Sequence, residues 1–257
     1  MKKKVKSSFI VTGLLFLLFV LFTVVVSTVD VRQIGPQGSE VGLATLNEFV
    51  FQKLGVRMIW YSITDWLGVV ALLTAFCFAV IGLIQAVNRK SLLKVDIRII
   101  LLGIYYVIVI VAYVFFEIFI INYRPVILEE SVGLEASYPS SHTMLVICIM
   151  GAALVLFQQM IQNKMIRVIM NSLSGLVIFI TVVGRMISGV HWFTDIVGGI
   201  LLGITLIQLY ASVLRLIAWK KGNYKESILL VSIMDSSISF FISSASSMSI
   251  AIYLSFF

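Results

Sequence analysis

Apolar residues run along this chain in long, nearly unbroken blocks, not at the alternate positions of a half-buried strand. A helix needs about 20 such residues to cross a hydrocarbon layer roughly 30 Å thick, because each residue rises about 1.5 Å. Six blocks come close to or exceed that length: residues 7–29, 66–88, 99–123, 143–163, 168–184 and 196–214. Strands of a membrane barrel would be about ten residues long and alternate in polarity. The pattern therefore predicts an all-α polytopic membrane protein with six transmembrane helices. The longest connection, residues 30–65, carries Leu43, Leu46, Val50, Phe51 and Leu54 at helical spacing, which predicts a short helix lying on the membrane. The chain divides into an anchor helix with an outer segment (1–65), a five-helix core (66–217), and a basic stretch followed by a Ser- and Ile-rich tail (218–257). The pattern leaves that tail as either a poor seventh span or an interfacial helix.

Composition agrees with the pattern and excludes other classes. The 257 residues are 60% apolar and 12% charged, against about 45–50% and about 25% in an average soluble domain. The mean hydropathy is +1.09. Intrinsic disorder needs the opposite composition. The two cysteines, Cys77 and Cys148, both lie inside apolar blocks, so no disulfide scaffold is expected.

The net charge of +7 is explained by topology. With the N-terminus in the cytoplasm, fourteen of the nineteen Lys and Arg residues fall on the inner side, including Lys2, Arg89, Lys164 and Arg215. The outer side keeps Arg32, Lys53, Arg57, Arg124 and Arg185. Nucleic acid is therefore not an expected partner. Lys2, Lys3, Lys4 and Lys6 resemble a signal-peptide start, but the apolar run is long and lacks a clear cleavage site, so the first block reads as a retained anchor.

What remains is a set of polar residues near span ends, all on the outer side: Glu117, Arg124, His142, Arg185, His191 and Asp195. Charges there are costly and mark function by default. Simple snorkelling anchors would not gather both histidines of the chain on one face. His191 and Asp195 are four apart, so on a helix they share a face, and the carboxylate would fix the imidazole tautomer and free Nε2 as nucleophile or base. Two Arg forks suit an oxyanion such as phosphate. Ser140 and Ser141 stand at a helix start, which offers free N–H groups to an anion. Two Arg beside the histidines oppose a metal cation, so no metal and no cofactor are expected.

These residues resemble the type 2 phosphatidic acid phosphatase family, which shares its core with vanadium haloperoxidases. Its second motif, Pro-Ser-Gly-His, reads here Pro139-Ser140-Ser141-His142. Its third, Ser-Arg, five residues, His, three residues, Asp, reads Gly184-Arg185, His191 and Asp195. Its first, Lys, six residues, Arg-Pro, survives as Arg124-Pro125, with Glu117 in place of Lys. The resemblance implies a phosphatase/haloperoxidase-like helical core over roughly residues 66–216. It also implies that His191 attacks phosphorus, Asp195 orients it, His142 serves as acid and base, and Arg124, Arg185, Ser140 and Ser141 hold the phosphoryl oxygens. Glu117 reverses a phosphate-binding charge. Two helical turns before Arg124, it either pairs with Arg124 or Arg185, meets a cationic part of a substrate, or weakens catalysis. Lys53 is a candidate replacement for the missing charge.

The expected function is a bacterial cell-membrane lipid phosphatase with its site on the outer face. Undecaprenyl diphosphate, phosphatidic acid and phosphatidylglycerol phosphate are all compatible substrates. The alternatives are a non-catalytic lipid-phosphate binder or regulator on the same scaffold, and a transporter, for which the repeats and broken helices are not seen.

Overall fold

The computed structural model describes residues 2–222, and the Ser- and Ile-rich tail lies outside them. Among the described residues there are seven α-helices: α1 (Lys2–Thr28), α2 (Ala44–Leu54), α3 (Met58–Asn88), α4 (Ile97–Ile118), α5 (Ser141–Met160), α6 (Lys164–Ser188) and α7 (Phe193–Lys220). Six of them, all but α2, are long and apolar enough to cross a membrane. The chain is a multi-pass membrane protein.

Burial separates the centre of the bundle from its rim. The apolar windows of α5 and α7 are 67% and 61% buried, whereas those of α1, α3, α4 and α6 are 11–22% buried. The rim helices expose large side chains such as Leu14, Leu73, Phe76, Val111 and Leu176. An apolar belt of that kind matches lipid rather than water. The two central helices approach closely where α7 carries glycine: a Cβ on Gly203 would lie 2.8 Å from Ile147, and one on Gly199 would lie 2.8 Å from the Ser140 carbonyl. Small residues permit such contacts where apolar burial gives no advantage over lipid.

α1 packs along α7 and is tied to it by polar groups. Ser8 lies 2.5 Å from Ser212, Arg215 donates to Ser8 at 2.9 Å, and Thr23 meets Tyr138 at 2.8 Å. The anchor is thus built into the bundle.

Several boundaries differ from those the hydrophobic blocks predict, and three of the differences reshape the surroundings of the site. α3 begins at Met58 rather than residue 66, which brings Trp60, Tyr61 and Asp65 into the helix. α4 ends at Ile118 rather than residue 123. There the chain turns back on itself: Arg124 N–H donates to Glu135 O at 3.0 Å and Ser137 N–H to Asn122 O at 2.9 Å. Pro125 has no N–H to continue a helix and restrains the residue before it. α6 runs on to Ser188, where Gly189 caps it at φ +70°. A Cβ on Gly189 would lie 2.3 Å from the Gly55 carbonyl, so glycine is needed there for both angle and space.

The helix predicted between residues 43 and 54 forms as α2, and it packs on the bundle. Asn47 is fully buried. Its amide donates to Gly42 O at 2.8 Å and Thr194 Oγ1 at 2.9 Å, and its oxygen accepts from Thr194 N–H at 3.1 Å. Phe51 meets Trp192 with ring centroids 5.5 Å apart.

Candidate active site

The turn between α6 and α7 places His191 just before α7, 4% exposed. It is not on a helix with Asp195, as the spacing alone implies. The two are brought together because Asp195 folds back over the helix start, where its Oδ2 accepts from Trp192 N–H at 2.9 Å. Even so, His191 Nδ1 and Asp195 Oδ2 are 4.0 Å apart. Ser137 fills the gap: its Oγ is 2.9 Å from Nδ1 and donates to Asp195 Oδ2 at 2.5 Å. A hydroxyl has one proton to give. Because that proton goes to Asp195, Ser137 can only accept from His191, which puts the imidazole proton on Nδ1 and leaves a lone pair on Nε2. Asn122 steadies the carboxylate from its other oxygen, at 3.1 Å. Among the described residues Nε2 is buried without a hydrogen-bond partner.

Arg124, Arg185 and His142 all lie within electrostatic range of His191. The Arg185 side chain is fully buried; Nη2 reaches Asp65, and its guanidinium stacks over Tyr61 at 4.8 Å. Its Nε and Nη1 have no hydrogen-bond partner among the described residues. Arg124 Nε lies 3.1 Å from Glu135 Oε2 but without the alignment of a hydrogen bond, and its Nε and Nη1 are likewise unmatched there. Guanidinium N–H groups that are buried and unmatched suit an oxyanion. His142, the second residue of α5, has Nε2 3.1 Å from Asp65 Oδ1 and a buried, unmatched Nδ1.

Ser140 does not contribute as expected. Its N–H donates to Asp195 O at 2.9 Å and its hydroxyl to Thr143 at 3.0 Å, so both donors are engaged. Ser141, His142 and Thr143 occupy the first turn of α5, where backbone N–H groups have no helical acceptor.

Glu117 is also placed differently. Because α4 ends at Ile118, Glu117 and Arg124 do not share a helix face. The ion pairs formed are Arg124 with Glu135 and Arg185 with Asp65. Glu117 instead lines a cleft with Tyr113, Ser137, Tyr138 and Ser141. Lys53 sits on α2 over the Phe49 ring, at 5.9 Å.

Burial, and after it the charges of Arg124, Arg185 and His142, hold His191 well below the ordinary histidine value of 6.5. At His191 the folded protein therefore binds less proton than the unfolded chain below 6.5, and the contribution of this residue to stability falls as pH drops through that range. We expect the apparent thermal midpoint in detergent to fall between about pH 7 and about pH 5. His191→Asn keeps a donor for Ser137 but does not titrate, so its midpoint should fall less. Equal pH dependence in the two proteins would contradict this picture.

Comparison with known proteins finds a family likeness over the stretch that holds the site. Residues 98–219, which span α4 to α7, match the PAP2 superfamily. Over those residues the chain is similar to the PAP2 superfamily. The same fold recurs in the crystal structure of a transmembrane PAP2-type phosphatidylglycerolphosphate phosphatase from Bacillus subtilis. That structure aligns with a TM-score of 0.50 at 19% identity, covering 77% of this chain and 93% of that one. No curated protein sequence matches the chain. The matched stretch holds Arg124, His142, Arg185, His191 and Asp195, while α1, α2 and α3 lie outside it. Asp65, Ser137, Asn122 and Glu135 were not singled out by the sequence. Ser137 and Asn122 are loop residues whose partners lie far along the chain, Glu135 is a loop residue paired with Arg124, and Asp65 reads as the polar edge of an apolar block.

Proposed function

We propose that this protein is an integral-membrane lipid phosphatase that hydrolyses a lipid phosphomonoester or diphosphate through a phosphohistidine on His191, without a metal. The observation that carries the reading is the pairing of a fixed Nδ1 with an unmatched, buried Nε2, on a histidine within electrostatic range of Arg124 and Arg185, whose Nε and Nη1 are buried and unmatched too. Nε2 attacks phosphorus, forming a P–N bond as the bond from phosphorus to the leaving oxygen breaks. The electron pair goes to that oxygen, which takes a proton from His142. His142 then removes a proton from water, the water oxygen bonds to phosphorus, and the P–N bond breaks back to Nε2. Arg124, Arg185 and the N–H groups at the start of α5, including that of Ser141, stabilise the phosphoryl oxygens. Ser137 and Asp195 hold the ring and the positive charge it gains.

The ends of the helices support an outward-facing site. Lys2, Arg89, Lys164 and Lys220 lie at one end of the spans, and His142, Arg185 and His191 lie at the other. The excess of basic residues assigns the first end to the cytoplasm, so substrate enters from the outer leaflet of the cell membrane.

The test is phosphate release in detergent from phosphatidic acid, phosphatidylglycerol phosphate and undecaprenyl diphosphate, with and without EDTA. We expect release from at least one, undiminished by the chelator. Binding of these lipids with no release from any would instead identify a non-catalytic lipid-phosphate binder, a reading that Glu117 favours because it stands where the family places a phosphate-binding Lys. Loss of release on chelation alone would point to a metal-dependent reaction.

A further inference from the structure

Outside the matched domain, one face of α3 is shaped to the site. Thr64 and Trp60 close on Gly184, where a Cβ would lie 2.6 Å from Thr64 Cγ2 and 3.2 Å from the Trp60 ring. One turn on, Gly68 offers its open side to His142, whose Cδ2 would lie 3.5 Å from a Cβ there. Between these two approaches stands Asp65, about one-third exposed. Its Oδ1 faces both Nε2 of His142 and Nη2 of Arg185. Tyr61, a turn earlier, stacks under the same guanidinium. A carboxylate held between a guanidinium and an imidazole does two things. It fixes both groups, and it supplies negative charge to a ring that otherwise faces Arg185 and Arg124.

Resting on the phosphatase reading above, we propose that Asp65 is a positioning residue for His142: it orients the ring through Nε2, leaves Nδ1 to serve the leaving oxygen, and offsets the positive charge of protonated His142. The two histidines are then held in opposite senses, His191 by Nδ1 and His142 by Nε2. Asp65 makes no bond to phosphorus and exchanges no proton with substrate. Its influence falls on the step in which the leaving oxygen must be protonated. An alkoxide from a glycerolipid needs that proton, whereas a nitrophenolate departs without it.

The experiment compares Asp65→Asn with wild type on phosphatidic acid and on p-nitrophenyl phosphate. We expect kcat on phosphatidic acid to fall on the order of 10–100-fold, with less than about a threefold change in the rate of the nitrophenolate burst on the aryl ester. KM should move alike on both, through Arg185. Asp65→Glu, which keeps the charge, should retain a ratio of the two activities near that of wild type, and it serves as the second variant if the Asn protein folds poorly. Equal losses on both esters, or no loss on either, would overturn the positioning role while leaving the phosphatase reading intact. Wild-type protein inert towards both esters would overturn the phosphatase reading, and this role with it.

Discussion

His191→Asn should lower kcat for phosphate release by on the order of 10⁴–10⁶-fold, the loss usual when a covalent nucleophile is removed and only binding and charge stabilisation remain. The substitution is chosen to remove one atom's function and little else. An Asn amide can still donate to Ser137, so the bond that steadies Ser137 and Asp195 survives, while the Nε2 lone pair is gone. Lipid-phosphate binding should persist, because Arg124 and Arg185 are untouched. Steady-state release together with a binding isotherm checks both halves. A variant keeping more than about a tenth of wild-type kcat would show that His191 is not the nucleophile.

His142→Ala should cost on the order of 10²–10⁴-fold in kcat on phosphatidic acid, the usual range for a general acid–base group. The loss should depend on the step that limits turnover. With p-nitrophenyl phosphate the first transfer needs no acid, so a burst of nitrophenolate should persist and the following hydrolysis should slow. An Ala variant with neither burst nor turnover on the aryl ester would mean that His142 binds the phosphoryl group rather than moving its proton. The effect should exceed that of Asp65→Asn, since Asp65 acts only through His142 and Arg185.

The spans were legible because a lipid-facing helix must be apolar along its whole exposed length, so length and hydropathy suffice to find it. Their ends were less so. The apolar run through residue 123 hid the end of α4, which is set by Pro125 and by the pairing of residues 122–124 with 135–137. That error carried the reading of Glu117 with it, because a two-turn spacing means nothing across a helix end. Five charged or imidazole residues of the site were legible for the opposite reason: in a chain so sparing of charge, Arg124, His142, Arg185, His191 and Asp195 stand out, and the structure gathers them at one end of the bundle. Ser137 and Asn122 carry no such signal. An uncharged loop residue becomes part of a relay only through contacts 54 and 73 residues away, to His191 and Asp195. Asp65 gave a signal of the wrong kind, since a charge bordering an apolar block looks like the end of a span.

The central claim is a covalent phosphoryl group on His191. His142→Ala protein, slowed in the water step, should be mixed with p-nitrophenyl phosphate, quenched in base and digested for mass spectrometry. An acid-labile, base-stable phosphoryl group should appear on the peptide containing His191 and be lost in the His191→Asn, His142→Ala double variant. Phosphate release by wild-type protein with no phosphoryl group on His191 in any quenched sample, or with that group on another residue, would contradict it.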